Sequence, residues 1–314
     1  MNDTDQQLKL GHHPFFIPTI PLFHWSSNGK QYPSGVKPKP GPLGPDSFLY
    51  KEVIMANLKE VEQALNTYIR PLTFPLAIKM LKSEAEIPEK TRRPFQQMKK
   101  KVAICQGIGM ARKLGWAIAM GKEDMQCSLG AAPFGFFKNI DFWSEGNIAG
   151  GMFTASKEIG KKEEDLIDRF EHGLYSHILV APLNRAAFEP DLLMMYGNPA
   201  QVMRLIQGAL YGGGGAVSSS AMGRLGCASI ITVMSHDECR YVVPGNGDRV
   251  FGMTQDWEMA FLIPASKMDS VLDGLAKTHK SGVRYPITSF FNFQATFPPS
   301  YQEQMKIWEE EGEL

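Results

Sequence analysis

The residue type best suited to chemistry in this sequence is cysteine, which occurs at positions 105, 127, 227 and 239. Four cysteines in 314 residues are too few for a disulfide scaffold, and in a reducing compartment cysteines are more often buried, metal-bound or reactive. Soft thiolates select iron–sulfur clusters and other thiophilic metals. The sharpest hypothesis is that Cys105, Cys127 and Cys227 converge on such a group, with Cys239 or a non-cysteine group as the fourth ligand.

Two other interpretations of the cysteines stay open. The sequence contains no CxxC pair, so no spacing matches a ferredoxin or a zinc ribbon. Cysteine is among the most buried residue types and packs as a small hydrophobic side chain. The cysteines are then structural, or one of them is a reactive thiol.

A second hypothesis is the binding of an anionic or planar organic molecule. Arginine supplies forked donors for carboxylate or phosphate, and glycine-rich turns expose backbone N–H groups. Neither a Walker A segment nor a Rossmann fingerprint is present. The alternative is a plain turn over residues 245–249, stabilised by Asp248 and Arg249. The candidate cofactor-binding residues are Arg112, Arg224, Gly245, Asp248 and Arg249.

Candidate acid and base groups lie near the same elements. His236 precedes two carboxylates, Asp237 and Glu238, so a histidine–carboxylate arrangement is a further hypothesis. We take Asp124, His236 and Glu258 as the candidate catalytic residues. The alternative is that these groups belong to ordinary surface turns, which have the same composition.

The segment 102–130 is expected to form the floor of the site. Apolar residues at helical spacing predict a helix that ends near Gly115, a residue type suited to a left-handed C-terminus. A β-like run, a turn and Cys127 follow. Because Cys127 lies 22 positions after Cys105, this path can return the chain to its starting point.

The remaining patterns predict one α/β (α+β) domain over residues 47–285, in which helices flank a mixed β-sheet. A turn is expected at 245–249 and a strand edge at 218–220. Strands are expected at 76–81, 177–183, 191–197, 241–244, 250–253 and 257–263, and helices at 48–70, 161–170, 198–211, 227–234 and 265–278.

The chain contains a weak internal repeat in the spacing of its cysteines. Cys105 on one helix leads to Cys127, and Cys227 at another helix leads to Cys239. Two halves built alike would place two cysteine-bearing helices near a pseudo-symmetry axis.

Two arms rich in proline and aromatic residues flank the domain, over residues 1–46 and 286–314. Frequent prolines forbid helix and central strand in the first arm, so an extended conformation is expected. Its aromatic and aliphatic residues are too numerous for a disordered tail. We expect both arms to be extended. The first arm is expected to lie against the body of the protein or against a neighbouring subunit, and the second possibility predicts a homo-oligomer to which both arms contribute.

Charge and hydropathy restrict the partners and the compartment. Lys plus Arg equals Asp plus Glu, at 33 each, so no net charge recruits nucleic acid or an anionic membrane. Neither a run of 18 apolar residues nor a secretory leader is present. A cytoplasmic protein is expected, with a small molecule as ligand or substrate.

Several short motifs occur in a fixed order along the chain, namely 75–81 (PLAIKML), Cys105 with Gln106, Ala111, Arg112 and Gly115, Asp124 with 127–130 (CSLG), Gly226 with Cys227, and 244–251 (PGNGDRVF). In these motifs the chain resembles the DUF169, or ArCR, family of uncharacterised archaeal and bacterial proteins over roughly residues 50–285. The resemblance implies one cytoplasmic α/β domain found largely in anaerobes and archaea, and it brings no established activity. Cys239 has no place in the family pattern.

These observations predict a small-molecule enzyme or cofactor-handling protein of anaerobic metabolism that uses a cysteine-ligated iron–sulfur cluster or another thiophilic metal. The competing prediction is a non-catalytic module that binds a small molecule or anion and has structural buried cysteines.

Overall fold

The computed structural model describes residues 48–222, 226–287 and 296–314. The predicted N-terminal arm over residues 1–46 lies outside these ranges, and so does Arg224 of the candidate cofactor-binding set.

The described residues form helices around one sheet. The strands are β1 (Leu76–Leu81), β2 (Ile118–Gly121), β3 (His177–Pro182), β4 (Leu192–Gly197), β5 (Arg240–Val242) and β6 (Met259–Pro264). The helices are α1 (Phe48–Tyr68), α2 (Pro94–Met98), α3 (Ile104–Leu114), α4 (Ser128–Ala131), α5 (Asp141–Ser144), α6 (Lys157–Glu164), α7 (Pro199–Leu210), α8 (Ser229–His236), α9 (Asn246–Val250), α10 (Met268–Lys280) and α11 (Pro299–Glu311).

The six strands are ordered β2-β3-β1-β4-β6-β5. Every ladder between neighbouring strands is antiparallel, and the parallel pairs in the described ranges are isolated bridges such as Arg92 with Ile118. The expected single α/β domain with helices flanking a sheet is confirmed, and the sheet is antiparallel where a mixed one was expected.

Both faces of the sheet are covered by helices. Side chains alternate along each strand, so Ile78 and Met194 pack in one core cluster with α3 and α8, and Ala77 and Leu193 pack in another with α1, α7 and α10. Burial on two faces explains why the strands read as continuous apolar runs. The face that carries α3 and α8 also carries the cysteine-bearing segments.

The two halves of the sheet have the same topology. From centre to edge, one half runs β1, β3, β2 and the other runs β4, β6, β5. Leu76 pairs with Pro182 at the start of one ladder, and Leu192 pairs with Pro264 at the start of the other. The expected internal pseudo-repeat is therefore present in the sheet.

A pseudo-two-fold axis passes between the two central strands. Leu76 pairs with Met194 and Ile78 pairs with Leu192. Exchanging the halves maps each of these two pairs onto the other, so the axis runs through the Ala77–Leu193 pair between them.

Three local predictions were wrong. Residues 245–249 do not form a plain turn, because Asp248 accepts a hydrogen bond from the N–H of Gly245 and so caps the short helix α9. Residues 250–253 are not a strand, since Val250 ends that helix and Met253 has a left-handed φ of 56°. Residues 218–220 lie outside the sheet.

The C-terminal arm differs from the extended conformation expected. Its described part contains α11, which begins with a proline at its first position and continues through an acidic segment. In the described parts of the chain, each helix is too short or too polar to cross a membrane.

Candidate functional site

Three different elements position the three candidate metal-binding cysteines. Cys105 is in the first turn of α3. Cys127 is the N-cap of α4, where its Sγ accepts a hydrogen bond from the Gly130 N–H at 3.3 Å. Cys227 lies in the 3-10 turn Gly226–Ala228 that leads into α8. All three side chains are half-buried.

Two of the sulfurs approach the same point. A Cβ added to Gly130 would lie 3.3 Å from Cys127 Sγ and 3.6 Å from Cys227 Sγ. The first distance is tighter than most carbon contacts and the second is an ordinary van der Waals contact, so both thiols border the position of Gly130.

Helix α9 lies between the third cysteine, Cys105, and the segment that carries Cys227. Cys105 Sγ donates to the carbonyl oxygen of Gly247 at 3.5 Å. The next residue, Asp248, has its Oδ2 2.7 Å from the point where a Cβ on Gly226 would lie, and Gly226 precedes Cys227 in the chain. α9 therefore packs against both cysteine-bearing segments, α3 and the turn before α8.

The pseudo-symmetry makes Cys105 and Cys227 equivalent positions. α3 ends at Gly115 and α8 ends at Asp237, each in the left-handed conformation. A constant shift of 122 residues relates these two C-caps, the edge strands that follow them, and the two cysteines. The same shift pairs Cys239 with Ala117. The predicted repeat was therefore wrong in matching Cys239 to Cys127.

Burial dominates the electrostatics of the thiols. It raises the pKa of Cys105 to about 12, with further contributions from Asp248 and Cys127. Burial also raises the pKa of Cys227 well above its ordinary value, followed by the effects of Asp248, Cys105 and Cys127. Both side chains are neutral thiols at neutral pH. This argues against a reactive thiol at Cys105 or Cys227, because the thiolate is the nucleophile.

The spacing of the thiols distinguishes between kinds of metal group. A tetrahedral Zn²⁺ with Zn–S bonds of about 2.3 Å needs sulfurs roughly 3.8 Å apart. In the described ranges, the three cysteine sulfurs are not all within 4.8 Å of one another. The three sulfurs are therefore not at the spacing that a single tetrahedral ion needs.

Arg112 and Glu258 form a buried ion pair beside the site. Arg112 donates to both carboxylate oxygens of Glu258, at 2.6 and 2.9 Å, and also to Thr254 Oγ1 at 3.3 Å. Its guanidinium lies 4.0 Å from the ring centroid of Tyr196 on β4. Arg112, predicted to bind a cofactor, and Glu258, predicted to be catalytic, are thus paired with each other.

The other residues of the predicted anion site belong to α9. Gly245 is its N-cap, and Asp248 is buried at 7% exposure. Arg249 donates to the carbonyl oxygen of Gln255 at 2.7 Å and lies 3.6 Å from Asp256. The arginine therefore has partners other than the predicted Asp248.

The predicted catalytic residues have separate partners. Asp124 accepts hydrogen bonds from the N–H groups of Gly121 and Phe95, both at 2.9 Å. His236 Nε2 lies 3.3 Å from Asp168 on the surface, instead of pairing with the adjacent Asp237 or Glu238. Asp124 and His236 therefore interact with different partners and do not form one catalytic pair.

Glu123, Asp124 and His177 form the one group of three with metal-ligand spacing in the described ranges. The Arg93 guanidinium already occupies that place, with an ion pair to Glu123, Nη2 3.0 Å from His177 Nε2, and Nε 3.7 Å from Asp124. Since arginine can only donate, His177 Nε2 accepts. The group is a salt-bridge network with its own internal cation.

Cys239 lies on the opposite face of the sheet from the other three cysteines. It packs against the cluster formed with α1, α7 and α10. Burial raises its pKa to about 11, and the charges that act on it are Lys267 and Asp237. Cys239 is therefore not placed to be the fourth ligand.

Two residues of this region were missed from the sequence. Gly130 was noted only as the end of the CSLG segment. A glycine three residues after a candidate ligand such as Cys127 can mark a place where other groups approach the backbone closely. Tyr196 faces the α3 side of the sheet. Its signal was a polar group at the same alternation as Leu192 and Met194.

Comparison with other proteins places the chain in a family. The DUF169 model, described as uncharacterised ArCR, matches residues 64–274. An uncharacterised protein of Methanocaldococcus jannaschii, MJ0308, is 26% identical over 207 residues, which cover 64% of this chain and 85% of that relative. No solved structure matches the chain. Because the family model covers more than half of the sequence, the chain belongs to the DUF169 family.

Proposed function

We propose that Cys105, Cys127 and Cys227 hold an iron–sulfur cluster or another polynuclear thiophilic group, in an enzyme or cofactor-handling protein that acts on a small molecule in anaerobic metabolism. The observation that carries this proposal is the approach of Cys127 Sγ and Cys227 Sγ to one point at Gly130. The contact of Cys105 with α9 supports it further.

The side chains fit such a group chemically. Thiolates are preferred ligands of iron–sulfur clusters, and the buried neutral thiols would release their protons on binding. When bound, a cluster with three cysteine ligands supplies an iron with a position open to a small molecule. The Arg112–Glu258 ion pair holds the segment after α9 in place. It thereby limits movement of the part of the proposed site that α9 forms.

Anaerobic purification tests the proposal. We expect iron and acid-labile sulfide to copurify with the folded chain, with a visible absorption band. Cys105→Ser, Cys127→Ser and Cys227→Ser should each lose most of the iron. Cys239→Ser is the matched control, because it changes a half-buried thiol on the other face of the sheet. It should retain the wild-type iron content.

Two results contradict the proposal. One is folded protein, prepared without oxygen and reconstituted with ferrous iron and sulfide, that contains neither element. The other is equal iron in all four serine variants, which would mean that the bound iron does not depend on the three cysteines.

The second candidate function is a non-catalytic small-molecule or anion-binding module with structural cysteines. It is favoured by the packing of Cys227 against the core cluster of α3 and α8. Anion binding is less favoured, because Arg112 is paired with Glu258 and Arg249 donates to the carbonyl oxygen of Gln255. A thermal-shift screen with nucleotides, coenzyme A esters and aromatic acids tests it, since a ligand that binds the folded state raises its melting temperature.

We further propose a homo-oligomer, because the apolar residues of the arm favour packing on a neighbouring subunit. A cytoplasmic location is proposed because four cysteines in 314 residues are too few for a disulfide scaffold. Light scattering on the full chain and on a chain lacking residues 1–46 tests the oligomer. Loss of the larger species in the shorter chain supports a role for the arm, and a monomeric full chain contradicts the proposal.

A further inference from the structure

We propose that Asp248 supplies the fourth ligand, a carboxylate oxygen, to the group held by Cys105, Cys127 and Cys227. The inference rests on the proposed function and deepens it, because it specifies the non-cysteine ligand.

The position of Asp248 is the first observation. Helix α9 lies between the two equivalent cysteine segments, with Gly247 in contact with Cys105 Sγ at 3.5 Å and Asp248 Oδ2 against Gly226, the neighbour of Cys227. Gly252 permits this packing, since a Cβ there would lie 2.7 Å from the Asp248 carbonyl oxygen and 3.3 Å from Cys105 Cβ. The carboxyl group therefore faces Gly226, on the side of α9 that carries the Cys227 segment.

The second observation is that, among the described residues, no cation lies within ion-pair distance of this carboxyl group. Its Oδ2 accepts one hydrogen bond, from the Gly245 N–H at 3.3 Å. Arg112 and Arg249 act on it only from beyond ion-pair distance, and they are paired with Glu258 and Asp256. A buried carboxylate without a directly paired cation is costly. A bound metal would provide a positive charge in direct contact with it.

The pseudo-symmetry gives an internal comparison. After the other edge strand, Asp124 has the same local role as Asp248, because its Oδ2 accepts the N–H of the residue three positions earlier, Gly121. In that half the chain itself supplies a cation, since Arg93 Nε lies 3.7 Å from Asp124. Asp248 has the same cap role but lies two positions beyond Asn246, the residue that the 122-residue shift pairs with Asp124, and it lies against the segments of Cys105 and Cys227 instead. This difference between two otherwise similar caps points to an external cation at Asp248.

The ligand atoms also suit one another. Three thiolates and one carboxylate are a mixed donor set, in which the harder oxygen donor binds iron less firmly than sulfur does. The iron held by Asp248 would therefore be the exchangeable one, because the carboxylate fills the position that the three cysteines leave open.

The test compares wild type, Asp248→Asn, Asp248→Cys and Asp124→Asn after anaerobic reconstitution with ferrous iron and sulfide. Asparagine can still accept the cap hydrogen bond, so Asp248→Asn should keep its far-ultraviolet circular dichroism. We expect it to lose one iron per chain at unchanged sulfide and to give the electron paramagnetic resonance signal of a three-iron cluster. Asp248→Cys should restore the iron and shift the visible spectrum. Asp124→Asn, the matched control for the cap, should resemble wild type.

Distinct results separate the two proposals. If the wild type binds a cluster and Asp248→Asn and Asp248→Cys match it in iron, sulfide and spectrum, Asp248 is not a ligand and the cysteine site stands. Equal iron loss in Asp124→Asn also overturns the inference, because the effect then belongs to the cap. If wild type and all variants bind no iron, the proposed function itself fails.

Discussion

Arg112 and Glu258 illustrate how individual residues determine the stability of this region. Both side chains are almost completely buried, at 0% and 3% exposure, and the guanidinium bonds both carboxylate oxygens. Removing one partner of such a pair leaves an uncompensated buried charge, whereas the pair itself contributes little net stability. Truncation is therefore the informative experiment.

We expect Arg112→Met to lower the free energy of unfolding by about 3–5 kcal/mol, because methionine fills similar space and strands the Glu258 carboxylate. Urea unfolding followed by circular dichroism measures the change. The control is Lys161→Met, which breaks the exposed Lys161–Asp165 pair and should cost at most about 1 kcal/mol. Equal effects of the two substitutions would contradict a special role for burial.

The same pair predicts a pH dependence. Burial alone would raise the pKa of Glu258, but hydrogen bonds from Arg112 and the Gln255 N–H hold it below its ordinary value of 4.5. A lowered pKa in the folded state contributes stability that is present above pH 4.5 and is lost as the pH falls through the folded value. Wild type should therefore lose more stability than Glu258→Gln as the pH is lowered from 5 toward 3.

Urea midpoints of both proteins across that interval measure the difference. Burial raises the pKa of Asp248 and of Asp191. Lowering the pH through their folded pKa values therefore adds stability, and it does so in wild type and in Glu258→Gln alike. The difference between the two curves therefore isolates Glu258. Parallel curves would show that its pKa is not lowered by the pair.

The residue scale also shows what the sequence does not specify. Arg112 and Glu258 were both singled out for their chemistry, but their partnership spans 146 positions and no local pattern reveals it. Asp124 and Asp248 looked alike as acidic residues in turns. Their different surroundings, Arg93 in one case and thiols in the other, depend on tertiary contacts.

At the scale of elements, local patterns were informative wherever burial imposes a period. Helix α3 follows from apolar spacing and a glycine C-cap, and α7 begins with an asparagine cap and a proline at its first position. Helix α9 was missed because two of its first residues, Asn246 and Gly247, have turn-like composition. Its helical conformation depends on the Asp248 cap, which is a single interaction.

The C-cap of α3 predicts a backbone effect. Gly115 has a φ of 71°, and a Cβ there would lie 3.2 Å from atoms of both Arg185 and Phe74. We expect Gly115→Ala to lower the free energy of unfolding by about 1–2 kcal/mol or more, because the left-handed conformation is unfavourable for alanine. Gly213→Ala is the control, since Gly213 has open space around it and is not among the glycines with positive φ.

Urea unfolding of both variants measures the two costs. The equivalent C-cap, Asp237, shows that a residue other than glycine can occupy this conformation, with a φ of 52°, because aspartate tolerates it better than most. A Gly115→Ala protein as stable as Gly213→Ala would contradict the strain argument.

At the scale of the whole molecule, the pseudo-two-fold arrangement joins two similar halves into one sheet. The ladder between their central strands is short, from Leu76–Met194 to Ile78–Leu192. The core clusters on both faces nevertheless contain residues of both halves. The order of the strands could not be predicted from the sequence, since apolar runs buried on both faces carry no information about which neighbour they pair with.

Shared cores predict cooperative unfolding of the two halves, although chains of this length often unfold through intermediates. Trp143 reports on the first half and Trp257 on the second. Two variants are compared, in which Trp143 or Trp257 is the single tryptophan left of the five in the chain. We expect the fluorescence transitions of the two variants in urea to coincide. Arg112→Met extends the test, because Arg112 belongs to the first half and Glu258 to the second. It should shift both transitions to lower urea by the same amount, whereas independent halves would give separate midpoints or a shift confined to one probe.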